Sequence, residues 1–319
     1  MSGLIAVTGA SGFVGGHLLS QFREKGCALR ILVRDPARLG FAAGAGAPLE
    51  LVRGDLADAA ALADLCRGAD TLVHCAGLIA ARSDDEFFAV NRDGTCRLVE
   101  AAREAGIRRV VLLSSLAARE PGLSAYGASK RAGEEELKAR AGSMQWVILR
   151  PPAVYGPGDR ATLPLVQQLS RDLAIIPGNP AARVSLIHVA DLAAAIVHVA
   201  RDESVAAEIC ELHDGTDGGY GWRDLRLAAR GRDAGDKQLR CLFLPRPLMG
   251  AAAGIVQLAA PMLGRPPILT SGKVAELYHA DWVCRHNLLE TLTVWRPRIR
   301  FAQGFAETLA WYRREGWLS

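Results

Sequence analysis

Short apolar runs rich in leucine and β-branched residues recur along the first half of the chain: Leu4–Thr8, Ala28–Val33, Leu49–Arg53, Thr71–Cys75, Val110–Ser114 and Trp146–Leu149. Each has the length and unbroken hydrophobicity of a strand buried on both faces. Between them lie longer stretches with helical spacing, such as Phe13–Lys25 and Asp84–Ala105, the latter stopped by Gly106 as a C-cap would stop it. Strand and helix alternating at this pitch predict an α/β fold, a doubly wound parallel sheet of the Rossmann type with helices on both faces. Such sheets bind their ligands outside the carboxyl ends of the strands.

After Arg150 the texture changes. Residues 151–159 read Pro-Pro-Ala-Val-Tyr-Gly-Pro-Gly-Asp, followed by shorter helices and isolated strands broken at Pro177-Gly178, Asp214-Gly215 and Asp217-Gly218-Gly219. A sheet domain is therefore expected over 1–150 and a smaller C-terminal substrate-binding lobe over 151–319, with some of its segments returning to the sheet. Ala42–Ala47 reads as an alanine/glycine loop. The closing stretch from Phe301 to Leu318 reads as a helix whose aromatics, Trp311, Tyr312 and Trp317, pack it against the body.

Half of the 319 residues are apolar, which supplies a sizeable core and excludes disordered and fibrous classes. The formal charge of +4 is spread thinly, without the dense basic patch a nucleic-acid partner requires. Seven cysteines, 27, 66, 75, 96, 210, 241 and 284, lie far apart with no metal-binding spacing, so reduced thiols and no metal are expected. The opening residues lack a signal-peptide pattern, and a cytoplasmic location is expected. Pro247 to Gly264 is an uncharged stretch of eighteen residues, but Pro247, Gln257 and Pro261 interrupt it and it falls short of the ~20 clean residues of a membrane span. It reads as a buried or interfacial helix, with peripheral membrane contact as its alternative meaning.

Thr8-Gly9-Ala10-Ser11-Gly12-Phe13-Val14-Gly15 follows the first strand and opens the first helix, the setting of a dinucleotide-binding turn. Gly9 permits a sharp reversal, Gly12 lets the backbone approach a pyrophosphate, and Gly15 lets the helix sit close to the sheet with its N-terminal amides facing the anion. Gly9, Ser11, Gly12, Phe13, Val14 and Gly15 are the candidate contacts. The second strand ends Leu32-Val33-Arg34-Asp35-Pro36, where an acid would accept from the ribose of NAD and an arginine would pair with the extra phosphate of NADP. Arg34 points to NADP; Asp35 keeps NAD open.

Tyr126-Gly127-Ala128-Ser129-Lys130 starts a helix, so the phenol and the ammonium share one face. A phenol titrating near ~10 is a poor base at neutral pH, and a neighbouring ammonium favours its ionised form. Tyr126 is the candidate acid/base and Lys130 its electrostatic partner. The fifth strand ends at Ser114-Ser115, which brings a hydroxyl to the same sheet edge.

The glycine turn, the serine and the Tyr-x-x-x-Lys pair, in this order along the chain, resemble the extended short-chain dehydrogenase/reductase superfamily over nearly the whole chain. The resemblance implies that Asp55-Leu56 holds the adenine, that the Cys75-Ala76-Gly77 segment and Lys130 meet the cofactor's ribose, and that Ser115 hydrogen-bonds the substrate oxygen. In the segment Arg150 to Asp159 it implies a cofactor contact at Pro151 and a substrate contact at Tyr155. His188 either reaches the substrate or is a core histidine. Only eleven residues separate Ser115 from Tyr126, fewer than in many extended members, so the pocket is expected to be more open there. Ala153 stands where nucleotide-sugar enzymes typically carry an asparagine, and Arg183 sits one residue before their diphosphate-gripping arginine, a shift that turns it to the other face of a strand. With the apolar content of Leu242 to Leu269, this favours a lipophilic alcohol or ketone, and the motifs look most like the 3β-hydroxysteroid dehydrogenase and dihydroflavonol reductase branch. The alternatives are a sugar or nucleotide-sugar epimerase or dehydratase and a non-catalytic NADP-binding sensor. Family members often dimerise through the Tyr126 helix and the helix before the fifth strand, and a homodimer is possible here on that resemblance.

Overall fold

The computed structural model describes residues 3–39, 48–230, 240–263, 266–267 and 269–318; the loop expected at Ala42–Ala47 lies outside them, as do Gly264 and Ile268 of the expected apolar stretches. Six strands predicted in the first half are present as β1 (Ile5–Thr8), β2 (Leu29–Val33), β3 (Leu49–Arg53), β4 (Thr71–His74), β5 (Arg109–Leu113) and β6 (Gln145–Arg150). A seventh, Glu208–Glu211, joins from the second half beside β6. The order is Glu208–Glu211, β6, β5, β4, β1, β2, β3, all parallel, and it reverses direction between β1 and β4. Sheets of this order bind their ligands at that switch point, beyond the carboxyl ends.

Successive strand residues face opposite layers. Val7, Ile31, Val73 and Val111 turn to one apolar cluster and Ala6, Leu32, Leu72 and Val110 to the other. The first layer contains α1 (Phe13–Glu24) and the helix Val189–Arg201, which pack on each other. The second holds α2 (Ala59–Cys66), α4 (Asp93–Glu104) and α5 (Ala125–Arg140), with α3 (Asp84–Asn91) laid across α5. Helix Val189–Arg201 and strand Glu208–Glu211 both come from beyond residue 150, so the second half of the chain completes the sheet domain.

The helix expected from Asp84 to Ala105 is two helices, broken at Arg92. Thr95 donates its hydroxyl to the Asn91 carbonyl at 2.7 Å, a back-bond of the kind that bends helices, and the Asn91 side chain is held by Leu78 and Ser129 outside the helix. The break lets α4 run close under the adjoining loop: a Cβ on Gly94 would stand 2.9 Å from Leu56 Cδ1.

Among the described residues the second lobe carries, besides its helices, three two-stranded parallel pairs, Ala153–Tyr155 with Leu186–His188, Leu173–Pro177 with Arg240–Leu244, and Arg183–Val184 with Asp281–Trp282. Its core gathers Tyr155, Leu169, Leu186, Leu225, Phe301, Phe305 and Tyr312. The C-terminal helix Phe301–Arg314 packs as expected, Trp317 stacking on Tyr312 with ring centroids 5.5 Å apart. Asp191 and Asp214 pin the segment before it by accepting from the backbone amides of Arg298, Ile299 and Phe301 at 2.8–2.9 Å.

Candidate active site

Gly9 has φ +77°, and a Cβ there would stand 2.5 Å from the Ala76 amide nitrogen; a Cβ on Gly15 would stand 2.1 Å from the Gly9 carbonyl oxygen. Side chains at either position would push the turn off the sheet or the helix off the turn. No side chain caps α1 at Gly12, so the helix start at Phe13 and Val14 is formed by backbone alone beside exposed Ser11. This is a cradle of the shape and polarity that takes an anionic pyrophosphate.

Arg34 and Asp35 are both exposed at the end of β2. The Asp35 carboxylate caps the short turn Pro36–Arg38, accepting from the Ala37 amide at 3.0 Å. Asp55 likewise accepts from the Ala57 amide at 2.8 Å while Leu56 is buried under α4. On the other side of β1, β4 ends in a buried chain in which Thr8 Oγ1 and His74 Nδ1 lie 2.7 Å apart and His74 Nε2 and Thr95 Oγ1 3.1 Å. Burial holds His74 neutral, lowering it to about 3. The Ala76 amide donates to Thr8 Oγ1 at 3.3 Å, which fixes the Cys75-Ala76-Gly77 segment against the glycine turn.

Lys130 reaches this point from α5. Its Nζ donates to the Leu113 carbonyl at 2.7 Å, and a Cβ on Gly77 would come within 3.5 Å of that nitrogen and 3.0 Å of Asn91 Oδ1. Burial lowers the ammonium to about 8, opposed by the charge of Glu134 one turn further along the helix. Tyr126 stands half-buried against Phe87, ring centroids 6.0 Å apart. Burial dominates its phenol rather than the neighbouring ammonium, pushing it up to about 12, with the hydrogen bond from Ser115 pulling the other way and the Glu276 carboxylate adding to the rise. Tyr126 is thus held as a proton donor. Ser115 also caps the turn Leu116–Arg119, its Oγ accepting from the Ala117 amide at 3.2 Å, and the Pro151 carbonyl accepts from Leu116 at 2.8 Å beside it.

Several residues of this site carry no motif. Asn91 donates to Ser129 Oγ at 2.9 Å and to the Leu78 carbonyl at 3.1 Å, and Ser129 in turn bonds the Tyr126 carbonyl at 2.8 Å, so Asn91 ties the loop after β4 to the Tyr126 helix. Its sequence signal was an asparagine inside a helical run, a residue that favours caps and turns. The fully buried Glu134 is clamped by Arg150 at 2.8 and 2.5 Å and by the Ser114 hydroxyl, locking α5 to β5 and β6. Glu276, on the second-lobe helix Ser271–Tyr278, accepts from Ser124, the N-cap of α5, and from Lys273 at 3.0 Å. A Cβ on Gly272 of that helix would stand 2.9 Å from Ser124 Cβ. The side of the pocket expected to be open is therefore met by a helix more than a hundred residues away in sequence.

Tyr155 and His188, the two substrate candidates of the second lobe, are placed together in its core rather than with the Tyr126 group. Their rings meet edge-on at 5.4 Å, Phe301 lies against Tyr155 at 5.3 Å, and His188 Nδ1 caps the helix Val189–Arg201. Burial keeps His188 neutral, lowering it to about 4. Arg183 is spent on the second lobe's own backbone, donating to the Gly218 and Gly219 carbonyls at 2.7 Å.

The model of the NAD dependent epimerase/dehydratase family matches residues 5–210. A ceramide reductase of Caulobacter vibrioides is 40% identical over 319 residues, covering 99% of this chain and 96% of that protein. A 3 beta-hydroxysteroid dehydrogenase/Delta 5-->4-isomerase of Mycobacterium tuberculosis is 29% identical over 66% of this chain and 65% of its own length. Among solved structures, a UDP-glucose 4-epimerase of Thermus thermophilus in complex with NAD shares the fold with a TM-score of 0.68 at 20% identity, covering 97% of this chain and 99% of that one. The chain belongs to the NAD dependent epimerase/dehydratase family and is an oxidoreductase of the extended short-chain dehydrogenase/reductase type.

Proposed function

We propose that this protein is an NADP-dependent reductase that transfers a hydride to the ketone of a lipophilic substrate of the ceramide or sterol class, and catalyses the reverse oxidation of the alcohol. The observation that carries this reading is the convergence of Ser115, Tyr126 and Lys130 at the carboxyl edge of the sheet, beside the glycine turn, in a chain similar end to end to a ceramide reductase. The cofactor would lie along Gly9 to Gly15 with its adenine toward Asp55 and Leu56, its ribose toward Gly77 and Lys130, and its nicotinamide toward Pro151. Bound there, it supplies or accepts the hydride. Tyr126 gives its phenolic proton to the substrate oxygen, Ser115 donates a hydrogen bond to the same oxygen, and the Lys130 charge steadies the phenolate left behind.

NADP is favoured over NAD because Asp35 already caps the turn Pro36–Arg38, whereas Arg34 stands exposed at the strand end with no ion pair among the described residues. A lipophilic substrate is favoured because Ala153 offers no hydrogen bond and Arg183 is occupied, so two anchors of a nucleotide-sugar are missing. The test is cofactor oxidation, followed by absorbance, with ceramide-type and sterol ketones. NADPH consumption that disappears in Tyr126→Phe is expected. Substrate conversion with no net change in the cofactor would be the epimerase result, and cofactor binding without turnover the sensor result; either one overturns the proposal.

A further inference from the structure

Most large apolar side chains left exposed among the described residues fall on one strand pair of the second lobe and the helix that follows it. The strand pair Leu173–Pro177 and Arg240–Leu244 presents Leu173, Ile175 and Leu242 outward, with Ile175 and Leu242 register partners. The helix Arg246–Leu263 follows after Pro245 and exposes Leu248 (57%), Ile255 (69%) and Leu258 (81%). Ala253 and Ala260, seven residues apart and on the opposite side of the helix, are its buried contacts, and the helix packs on Ser271–Tyr278. The side facing the protein is therefore buried through two alanines while the largest side chains face outward, the reverse of a surface helix that folds onto its own core.

In sequence the helix lies within a basic segment. From Lys237 to Lys273 the sequence carries Lys237, Arg240, Arg246, Arg265 and Lys273 and no aspartate or glutamate. No helix among the described residues is long and apolar enough to cross a membrane. Arg240 and Arg246 stand exposed on the strand and helix of this face, while Lys273 is paired with Glu276 and Asp172, beside Leu173, with Arg230. An apolar face with exposed arginines has the chemistry of an element lying in the headgroup region of an anionic bilayer, where apolar burial and attraction to acidic lipids add.

We propose that the helix Arg246–Leu263 and the adjoining strand pair form a docking face that seats this protein on an anionic lipid bilayer. The face stands one helix away from the catalytic tyrosine: the helix beneath it, Ser271–Tyr278, bonds through Glu276 to Ser124, two residues before Tyr126. A lipid substrate would thus pass from the bilayer toward Tyr126 along the second lobe. The inference rests on the lipophilic substrate proposed above, but its test reads a different quantity.

Full-length protein is floated with phosphatidylcholine vesicles, with or without about a third of phosphatidylglycerol. The wild-type chain is expected to float with the anionic vesicles and to stay behind with the neutral ones. The double variant Ile255→Glu, Leu258→Glu should lose this binding by roughly tenfold or more, and Arg246→Glu should weaken it less. Both variants should keep the wild-type circular dichroism, NADPH affinity and turnover of a short water-soluble ketone. Wild-type protein that fails to float, a double variant that floats unchanged, or a wild-type dimer that the double variant disperses without any vesicle binding would overturn the proposal. Absent ketone turnover with flotation intact would sink the reductase reading and leave the docking face standing.

Discussion

The α5 region around Tyr126 and the helix Arg246–Leu263 treat their side chains in opposite ways. Around α5, polar groups are buried in pairs: Glu134 with Arg150 and Ser114, His74 with Thr8 and Thr95, Asn91 with Ser129, while Leu137 is fully covered. Along Arg246–Leu263, Ala253 and Ala260 are covered while Leu248, Ile255 and Leu258 are exposed. Full burial of a leucine contributes about 1.5–3 kcal/mol relative to exposure, so the second helix forgoes stability that the first region collects. On the roles proposed for them the difference separates two demands: proton transfer needs groups held within fractions of an ångström, whereas meeting a lipid needs apolar surface left uncovered.

The comparison breaks most sharply at Tyr126. Replacing it with phenylalanine removes the proposed proton donor and is expected to lower turnover by roughly 10²–10⁴-fold with NADPH affinity kept, measured by steady-state kinetics beside calorimetric titration. Glu134→Ala should be next: it leaves the Arg150 guanidinium buried and unpaired, and denaturant unfolding should show a loss of about 3–5 kcal/mol. Arg34→Ala is expected to weaken NADPH by roughly ten- to a hundredfold and leave NADH unchanged, as loss of one charge-assisted phosphate pair would. Preference for NADH in the wild type would shift the assignment to Asp35.

Two pH profiles sharpen the same contrast. Lys130 is charged below about 8, and Tyr126 keeps its proton to about 12, so reduction should decline as pH rises through about 8 for want of the ammonium and not of the acid. His74 is held near 3 against an ordinary value near 6.5; the unfolded chain therefore takes up the proton first. Stability is unaffected above 6.5 and falls as pH drops from 6.5 toward 3, and thermal unfolding of His74→Gln should show a shallower acid slope. The smallest effect is expected on the open helix, where Ile255→Gln should change stability by within about 0.5 kcal/mol. A large loss there would mean that Ile255 is covered by protein in solution.

Much of the site was legible because its parts are local. Gly9, Gly12 and Gly15 are read as a turn from spacing alone, and the structure gives the reason in the 2.5 Å and 2.1 Å approaches a Cβ would meet at Gly9 and Gly15. Tyr126 and Lys130 share a helix face, and Ser115 ends a strand at the same sheet edge. Asn91 was missed because its role depends on a helix break made by tertiary bonds to Leu78 and Ser129. Glu276 gave no signal at all, since it meets Ser124 across 152 residues of chain. Tyr155 and His188 resembled substrate contacts, and the structure places them in a core completed by Phe301 from the far end of the chain.

By itself the sequence determined what short-range physics controls: strand and helix period, the parallel sheet they imply, the glycine turn, and the residues that share a face at i and i+4. Only the tertiary structure decided that the distant Glu276 carboxylate stands near the Tyr126 phenol, and which side of Arg246–Leu263 is left uncovered. Those outcomes depend on burial and on the pairing of groups far apart along the chain, and local periodicity carries no information about either.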